Sequence, residues 1–337
     1  MGLYEMVWCK EKSMTERERT ERLQARVQSL LANNEISCFI GYEVGATPLL
    51  ITPAFVQDTG EVGRLVWNVL AINNLATYLK RFRNEKIGVL VKGCDSRSMV
   101  ELLKLHQIRR EHVHIIGMPC RGIVDVKKIA QYAAPSSVQA IRDEGEQVVL
   151  ERAGAEPLTI DKEALLYEKC RSCAYPNPLV YDELLDEAVP PREVAPEQKF
   201  AEVMRLEQMD VADRLSFWSE ELSKCIRCYA CKNVCPMCFC TECLWEKREP
   251  RWVTKYQNPD DVFSFHLIRA YHMVGRCTGC MECERVCPVD IPLGRLFQKV
   301  EKDCLELFDY MPGIDEEATP PLSTFEEGDH AHEDLLR

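Results

Sequence analysis

Two stretches decide how this chain is built: Cys225-Ile-Arg-Cys-Tyr-Ala-Cys-Lys-Asn-Val-Cys-Pro236 and Cys277-Thr-Gly-Cys-Met-Glu-Cys-Glu-Arg-Val-Cys-Pro288. Both read C-x2-C-x2-C-x3-C-P. Three closely spaced thiolates wrap one cubane, and the fourth cysteine enters the following helix and serves the other cubane. The spacing therefore predicts two 4Fe-4S clusters with crossed ligands. Cys225, Cys228 and Cys231 with Cys287 hold one; Cys277, Cys280 and Cys283 with Cys235 hold the other. Pro236 and Pro288 remove a donor where each loop turns. A pair of zinc sites is the competing reading, but zinc favours C-x2-C pairs separated by a dozen or more residues and needs neither a third cysteine nor a trailing proline.

Working outward, the two copies are separated by residues 236–276, which carry Cys238, Cys240, Cys243, His266 and His272. One reading of the cysteine trio is a further zinc or cluster site. The other is that these thiols pack beside the cubanes while the histidines donate hydrogen bonds to sulfur or backbone. Of the 18 cysteines in the 337 residues, twelve fall between Cys170 and Cys283. The beginning MGLYEMVWCKEK has no apolar signal region, so a reducing cytoplasmic setting is expected, where cysteines serve as ligands more often than as disulfides. No apolar run is long enough for a membrane span. A net charge of −12 argues against a nucleic-acid partner.

The first half alternates between strand and helix patterns. Residues 14–33 place Leu23, Val27, Leu30 and Leu31 on one helical face. EISCFIGYE reads as a strand, TPAF as a turn region around Pro48 and Pro53, and NNLATYLKRF as a short helix capped by asparagine. KIGVLV is a buried strand followed by the turn KGCDSR and a helix. HVHIIGM is a second strand, followed by PCRG and the helix IVDVKKIAQY. This is a βαβ unit and implies a parallel sheet. VQAIRDEGEQVVLER reads as a hairpin. Cys94 and Cys120 each follow a strand, so they share the sheet edge at which α/β folds bind ligands. Cys170 and Cys173, a C-x2-C pair, can join them, and four thiolates suit a cubane or a zinc ion.

The run KGCDSR, then IIGMPCRG, then CRSC resembles the beta subunits of deazaflavin-coenzyme-dependent hydrogenases and formate dehydrogenases over about residues 36–180. That resemblance implies a third 4Fe-4S cluster on Cys94, Cys120, Cys170 and Cys173, beside a flavin such as FAD. Lys92, Arg97 and Arg121 are placed to neutralise a cluster or hold a flavin phosphate. In this chain the ferredoxin-type motif follows that domain rather than preceding it, and no GxGxxG follows a strand. The RAYHMVGRCTGC entry is similar to iron–sulfur subunits of heterodisulfide-reductase-like complexes.

The expected organisation is a helical segment (1–35) and an α/β domain with a parallel sheet (36–175). A proline-rich linker (176–197) leads to an α+β two-cluster ferredoxin-like domain with a helical insertion (198–305) and an acidic tail (306–337). Clusters ligated only by cysteine pass single electrons and leave no open position for bond chemistry. The expected function is thus an electron-transfer subunit of an anaerobic oxidoreductase complex. It would relay electrons between a flavin-, hydrogenase- or formate dehydrogenase-type partner and an acceptor subunit. The alternatives are a flavin-containing catalytic subunit exchanging hydride with deazaflavin or nicotinamide, and a zinc-dependent binding module. No triad, paired carboxylates or phosphate-binding loop points to hydrolysis, and His106, His112 and His114 read as surface or packing residues.

Overall fold

The structure, a computed structural model, describes residues 14–323 except 83 and 255. The stretch before residue 14 and the acidic residues from 324 onward lie outside the described residues. The chain opens with a helix, Glu16–Ala32, started by a capping box between Thr15 and Glu18. Its buried Leu23, Val27, Leu30 and Leu31 form the expected apolar face.

A five-stranded sheet follows: β1 (Cys38–Val44), β2 (Ile51–Val56), β3 (Ile87–Val91), β4 (Val113–Gly117) and β8 (Glu183–Leu184), in the order β2-β1-β3-β4-β8. Only the β1–β2 pair is antiparallel. β3 is buried along its whole length, as a central parallel strand covered on both faces should be. β5 (Val138–Asp143), β6 (Gln147–Arg152) and β7 (Ala155–Asp161) form a separate antiparallel sheet, which extends the expected hairpin by one strand.

Several expectations need correction. The region around Pro53 is not a turn: Pro53 sits in β2 opposite Tyr42. It is tolerated there because β2 is an edge strand. KGCDSR is not a turn either, since the helix Gly93–Lys104 begins directly after Lys92. The helix expected over IVDVKKIAQY shrinks to Val126–Ile129. The proline-rich stretch contributes β8, and its acids anchor it: Asp186 pairs with the buried Arg19 at 2.6 Å, and Glu183 takes Arg26 at 2.7 Å. The start of the tail is packed rather than solvated, because Tyr310, Pro312 and Gly313 all bond the Gly93–Lys104 helix.

The second half is built from helices and loops, principally Ala201–Glu207, Val211–Ser223, Pro259–His272 and Leu293–Phe308. No helix among the described residues is long and apolar enough to cross a membrane. The Gly93–Lys104 helix lies between the sheet and this half and is buried along most of its length, polar residues included. Arg97 meets Glu301 at 3.1 Å, and Lys199 reaches the same carboxylate at 2.7 Å. Ser98 bonds Thr278 at 2.9 Å.

Burial alone would push the Glu301 carboxyl up; Arg97 and Lys199 outweigh it and hold the group below the ordinary carboxylate range. Its contribution to stability is therefore complete above the unfolded carboxylate pKa and is lost as pH falls through the depressed native value. Glu301→Gln strands two buried cations and is expected to cost about 3–5 kcal/mol at neutral pH. A lowered urea midpoint, with the difference from the parent shrinking in acid, is the measurement that checks it.

Candidate iron–sulfur centres

The two C-x2-C-x2-C-x3-C-P copies repeat in backbone as well as in sequence. The residue before the second cysteine is left-handed in both, Arg227 at φ 52° and Gly279 at φ 64°. So is the residue after it, Tyr229 and Met281, each at φ 58° and each starting a one-turn helix. Glycine takes this conformation freely and other residues rarely do. Three non-glycine residues held in it indicate a loop shape fixed by what it encloses.

Each loop closes on a cysteine from the other. One cavity is lined by Cys225, Cys228, Cys231 and Cys287. A second is lined by Cys235, Cys277, Cys280 and Cys283. Backbone N–H groups aim at sulfur, from Arg227 to Cys225 and from Ile291 to Cys287, both at 3.4 Å. Such donors stabilise negative charge on a ligating sulfur.

The third quartet gathers at the carboxyl ends of β3 and β4. Cys94 lies in the first turn of the helix after β3, and Cys120 lies three residues past β4. With Cys170 and Cys173 they line one cavity of about 290 Å3. Tyr175–Asn177 straps it: Cys120 N–H donates to the Pro176 carbonyl at 2.8 Å, and a Cβ on Gly93 would sit 1.9 Å from the Tyr175 carbonyl oxygen. Glycine at 93 is what lets that strap pass. Lys92 is saturated by the Asp95 carboxylate (2.9 Å), the Asn73 carbonyl (2.9 Å) and the Tyr42 hydroxyl. Arg121 lines the cavity, whereas Arg97 turns away to Glu301.

The remaining candidates are spread out. Cys238 lies one turn beyond Cys235, and Lys80 donates to both carbonyls. Cys240 is exposed and Cys243 half-buried, and the trio lines none of the three cavities. Among the described residues, no three His, Cys, Asp or Glu side chains converge at single-ion distance. His272 is exposed, whereas His266 is buried with Nε2 at 3.4 Å from the Cys225 sulfur. Burial, aided by Arg269, pulls His266 down to about 4, so the neutral ring faces the thiol at physiological pH.

Among the thiols a hydrogen bond with Cys238 lowers Cys235, whereas burial pushes Cys120 up to about 12 and Cys231 and Cys280 up to about 11. Left to themselves Cys120, Cys231 and Cys280 stay protonated at neutral pH. A metal that binds them must displace those protons, which couples cluster assembly to pH. The donor set fits cubanes: four soft sulfurs per cavity, backbone donors to sulfur, and buried cations nearby.

Sequence reading passed over two of those cations. Lys169 donates to the Cys280 carbonyl at 2.6 Å while lining the Cys94 cavity. Arg269 lines the Cys277 cavity and donates to the Cys231 carbonyl at 2.9 Å. The available signals were adjacency to Cys170 for Lys169 and the i, i+3 spacing from His266 for Arg269.

Gly93→Ala is expected to displace Tyr175–Asn177 at a cost of about 1–3 kcal/mol, the range for forcing an atom into a filled site. Faster limited proteolysis between Cys173 and Pro178, at unchanged cutting elsewhere, is the readout.

Residues 221–291 match the family model of the 4Fe-4S dicluster domain, a domain for two such clusters. The F420-dependent formate dehydrogenase subunit beta of Methanocaldococcus jannaschii is 24% identical over 329 residues, covering 81% of this chain and 86% of the relative. F420-dependent formate dehydrogenase 1 subunit beta of Methanococcus maripaludis is 29% identical over 297 residues, covering 71% and 76%. Among solved structures, one of the F420-reducing [NiFe] hydrogenase complex from Methanosarcina barkeri aligns at 14% identity and a TM-score of 0.39, over 49% of this chain and 65% of that one. The chain is a homologue of the beta subunits of F420-dependent formate dehydrogenase and carries a 4Fe-4S dicluster domain.

Proposed function

We propose that this protein is the electron-transfer iron–sulfur subunit of an F420-dependent formate dehydrogenase- or hydrogenase-like complex and carries three 4Fe-4S clusters in series. The observation that carries the reading is the shared wall between cavities. Lys169 lines the cavity of Cys94, Cys120, Cys170 and Cys173, and its ammonium bonds the carbonyl of Cys280, a residue of the second cavity. Cys235 and Cys287 then interlock the second cavity with the first. The first cavity approaches solvent at Cys228 and at Ile226, which is 55% exposed. Electrons would enter beside the sheet edge and leave at that exposed loop, or run the other way. When bound, the clusters supply one-electron chemistry. The chain's own part is to fix their spacing, exclude water and set the local charge.

A second reading is favoured by one further feature. A cleft of about 1000 Å3 runs between the α/β region and the dicluster half, with Lys127, Lys128, Arg285 and Arg295 among its walls. It shares Ile72 and Lys169 with the Cys94 cavity. A flavin such as FAD fits there by size, and its phosphates would compete for cations that Asp290, Glu282 and Glu284 now hold. Bound so, it would make the chain the catalytic subunit that divides a hydride from a deazaflavin into single electrons. The names of the relatives point the same way.

Iron, sulfide, zinc and flavin per chain in anaerobically purified protein test both readings. The relay is expected to hold about twelve irons, following from three four-iron clusters. Abundant zinc with negligible iron would overturn it, and stoichiometric flavin released on denaturation would establish the catalytic reading. Cys235→Ser checks the crossed wiring: the EPR signal of the cluster in the 277–283 loop should be lost or altered while that of the 225–231 loop persists. The opposite pattern would refute the assignment.

A further inference from the structure

The Pro259–His272 helix carries a buried charge that nothing among the described residues fully satisfies. Arg269 is 4% exposed, and of its guanidinium nitrogens only Nη2 finds an acceptor, the Cys231 carbonyl at 2.9 Å. Nε and Nη1 are buried with no hydrogen-bond partner among the described residues. The plane lies over the Phe297 ring at 4.5 Å, which holds its orientation. No carboxylate pairs with it among the described residues; Arg227, Arg285 and Arg295 all have acidic partners. A guanidinium cannot neutralise itself by losing a proton, so burial with two open donors calls for an anion.

The groups around the guanidinium belong to both cysteine loops: it donates to the Cys231 carbonyl and lines the cavity of Cys235, Cys277, Cys280 and Cys283. Cys231 lines the first cavity, and Cys235 and Cys283 line the second together with Arg269 itself. The missing anion is therefore the sulfur of the clusters. Resting on the cluster placement proposed above, we infer that Arg269 is a positioning residue set between the two clusters of the dicluster domain. Its guanidinium donates hydrogen bonds to their sulfur and raises their reduction potentials, most strongly for the cluster of Cys277, Cys280, Cys283 and Cys235. Reduction adds an electron to an already anionic core, so a fixed buried cation favours the reduced form. Set between two cores, it favours the reduced form of each. Lys92 differs, since three protein oxygens saturate its ammonium, and Lys169 differs in having the Glu282 carboxylate 3.9 Å away.

The test is an EPR-monitored redox titration of the full-length holoprotein, with iron and sulfide counted in each sample. Arg269→Gln is expected to keep its iron yet lower the reduced-to-oxidised ratio of the second cluster at least tenfold at fixed poise, a 59 mV drop in a one-electron midpoint. Arg269→Lys, which keeps the charge, should recover most of that shift. Full cluster content with parental midpoints in both variants would overturn the inference. Absence of iron from the parent protein would instead strike the cluster placement. If neither variant loads, the unaltered protein decides. Pulsed EPR of the reduced state, with arginine 15N-labelled at the guanidinium, should show a coupling to the label, and no coupling would overturn the inference.

Discussion

The Gly93–Lys104 helix is the constraint on which the rest of the molecule depends. It begins at the cavity edge with Cys94 and runs between the sheet and the dicluster half with Arg97, Ser98 and Glu101 all buried. Polar groups in that position are unfavourable unless each finds a partner. The partners come from far along the chain: Glu301, Thr278, Tyr310, Pro312 and Gly313. Neither half can bury this helix alone without stranding charge. The two halves are therefore joined by directional bonds, and the distance between the sheet-edge cysteines and the dicluster cysteines is fixed with them.

The same logic operates within the dicluster half at shorter range. Each loop contributes three thiols to its own cavity and one to its neighbour's, so neither site is complete without the other. Contacts behind the loops reinforce this. A Cβ on Gly294 would sit 2.0 Å from Met281 Cε, and one on Gly279 would sit 2.9 Å from a Glu301 oxygen. The second loop thus presses on the carboxylate that also holds Arg97. Whatever disturbs that loop is felt at the interdomain ion pair.

The sequence made the cysteine quartets legible because ligand spacing is a local pattern that a cubane dictates directly. It also revealed Cys94 and Cys120 on one sheet edge, since parallel strands place their carboxyl ends together. β8 stayed hidden because a two-residue strand has no periodicity and is selected by pairing with β4, over sixty residues away. Pro53 read as a turn because its tolerance depends on β2 being an edge, a property of the whole sheet rather than of its neighbours. The packing of Pro312 and Gly313 stayed hidden because an acidic, proline-bearing stretch shows no pattern of its own until the buried donors and acceptors it satisfies are known. Arg269 and Lys169 were missed for a related reason: a cation in sequence is a surface residue by default, and only burial shows otherwise.

The distribution of charge draws these features together. The chain carries a net charge of −12, yet of the cations that line or adjoin its cysteine cavities Lys92 and Arg269 are buried and Lys169 is largely covered. An excess of acid outside keeps the protein soluble and steers partners, whereas charge inside acts in a medium that screens poorly. Three anionic cores packed in series would repel one another and resist reduction unless countercharge lay between them. Lys169 lies at the junction of the third and second cavities, and Arg269 at the junction of the second and first. Each junction thus has one cation, and at the second Nε and Nη1 of the guanidinium have no partner among the described residues. Positive charge placed between sites, rather than around each, is the arrangement that the proposed relay would require.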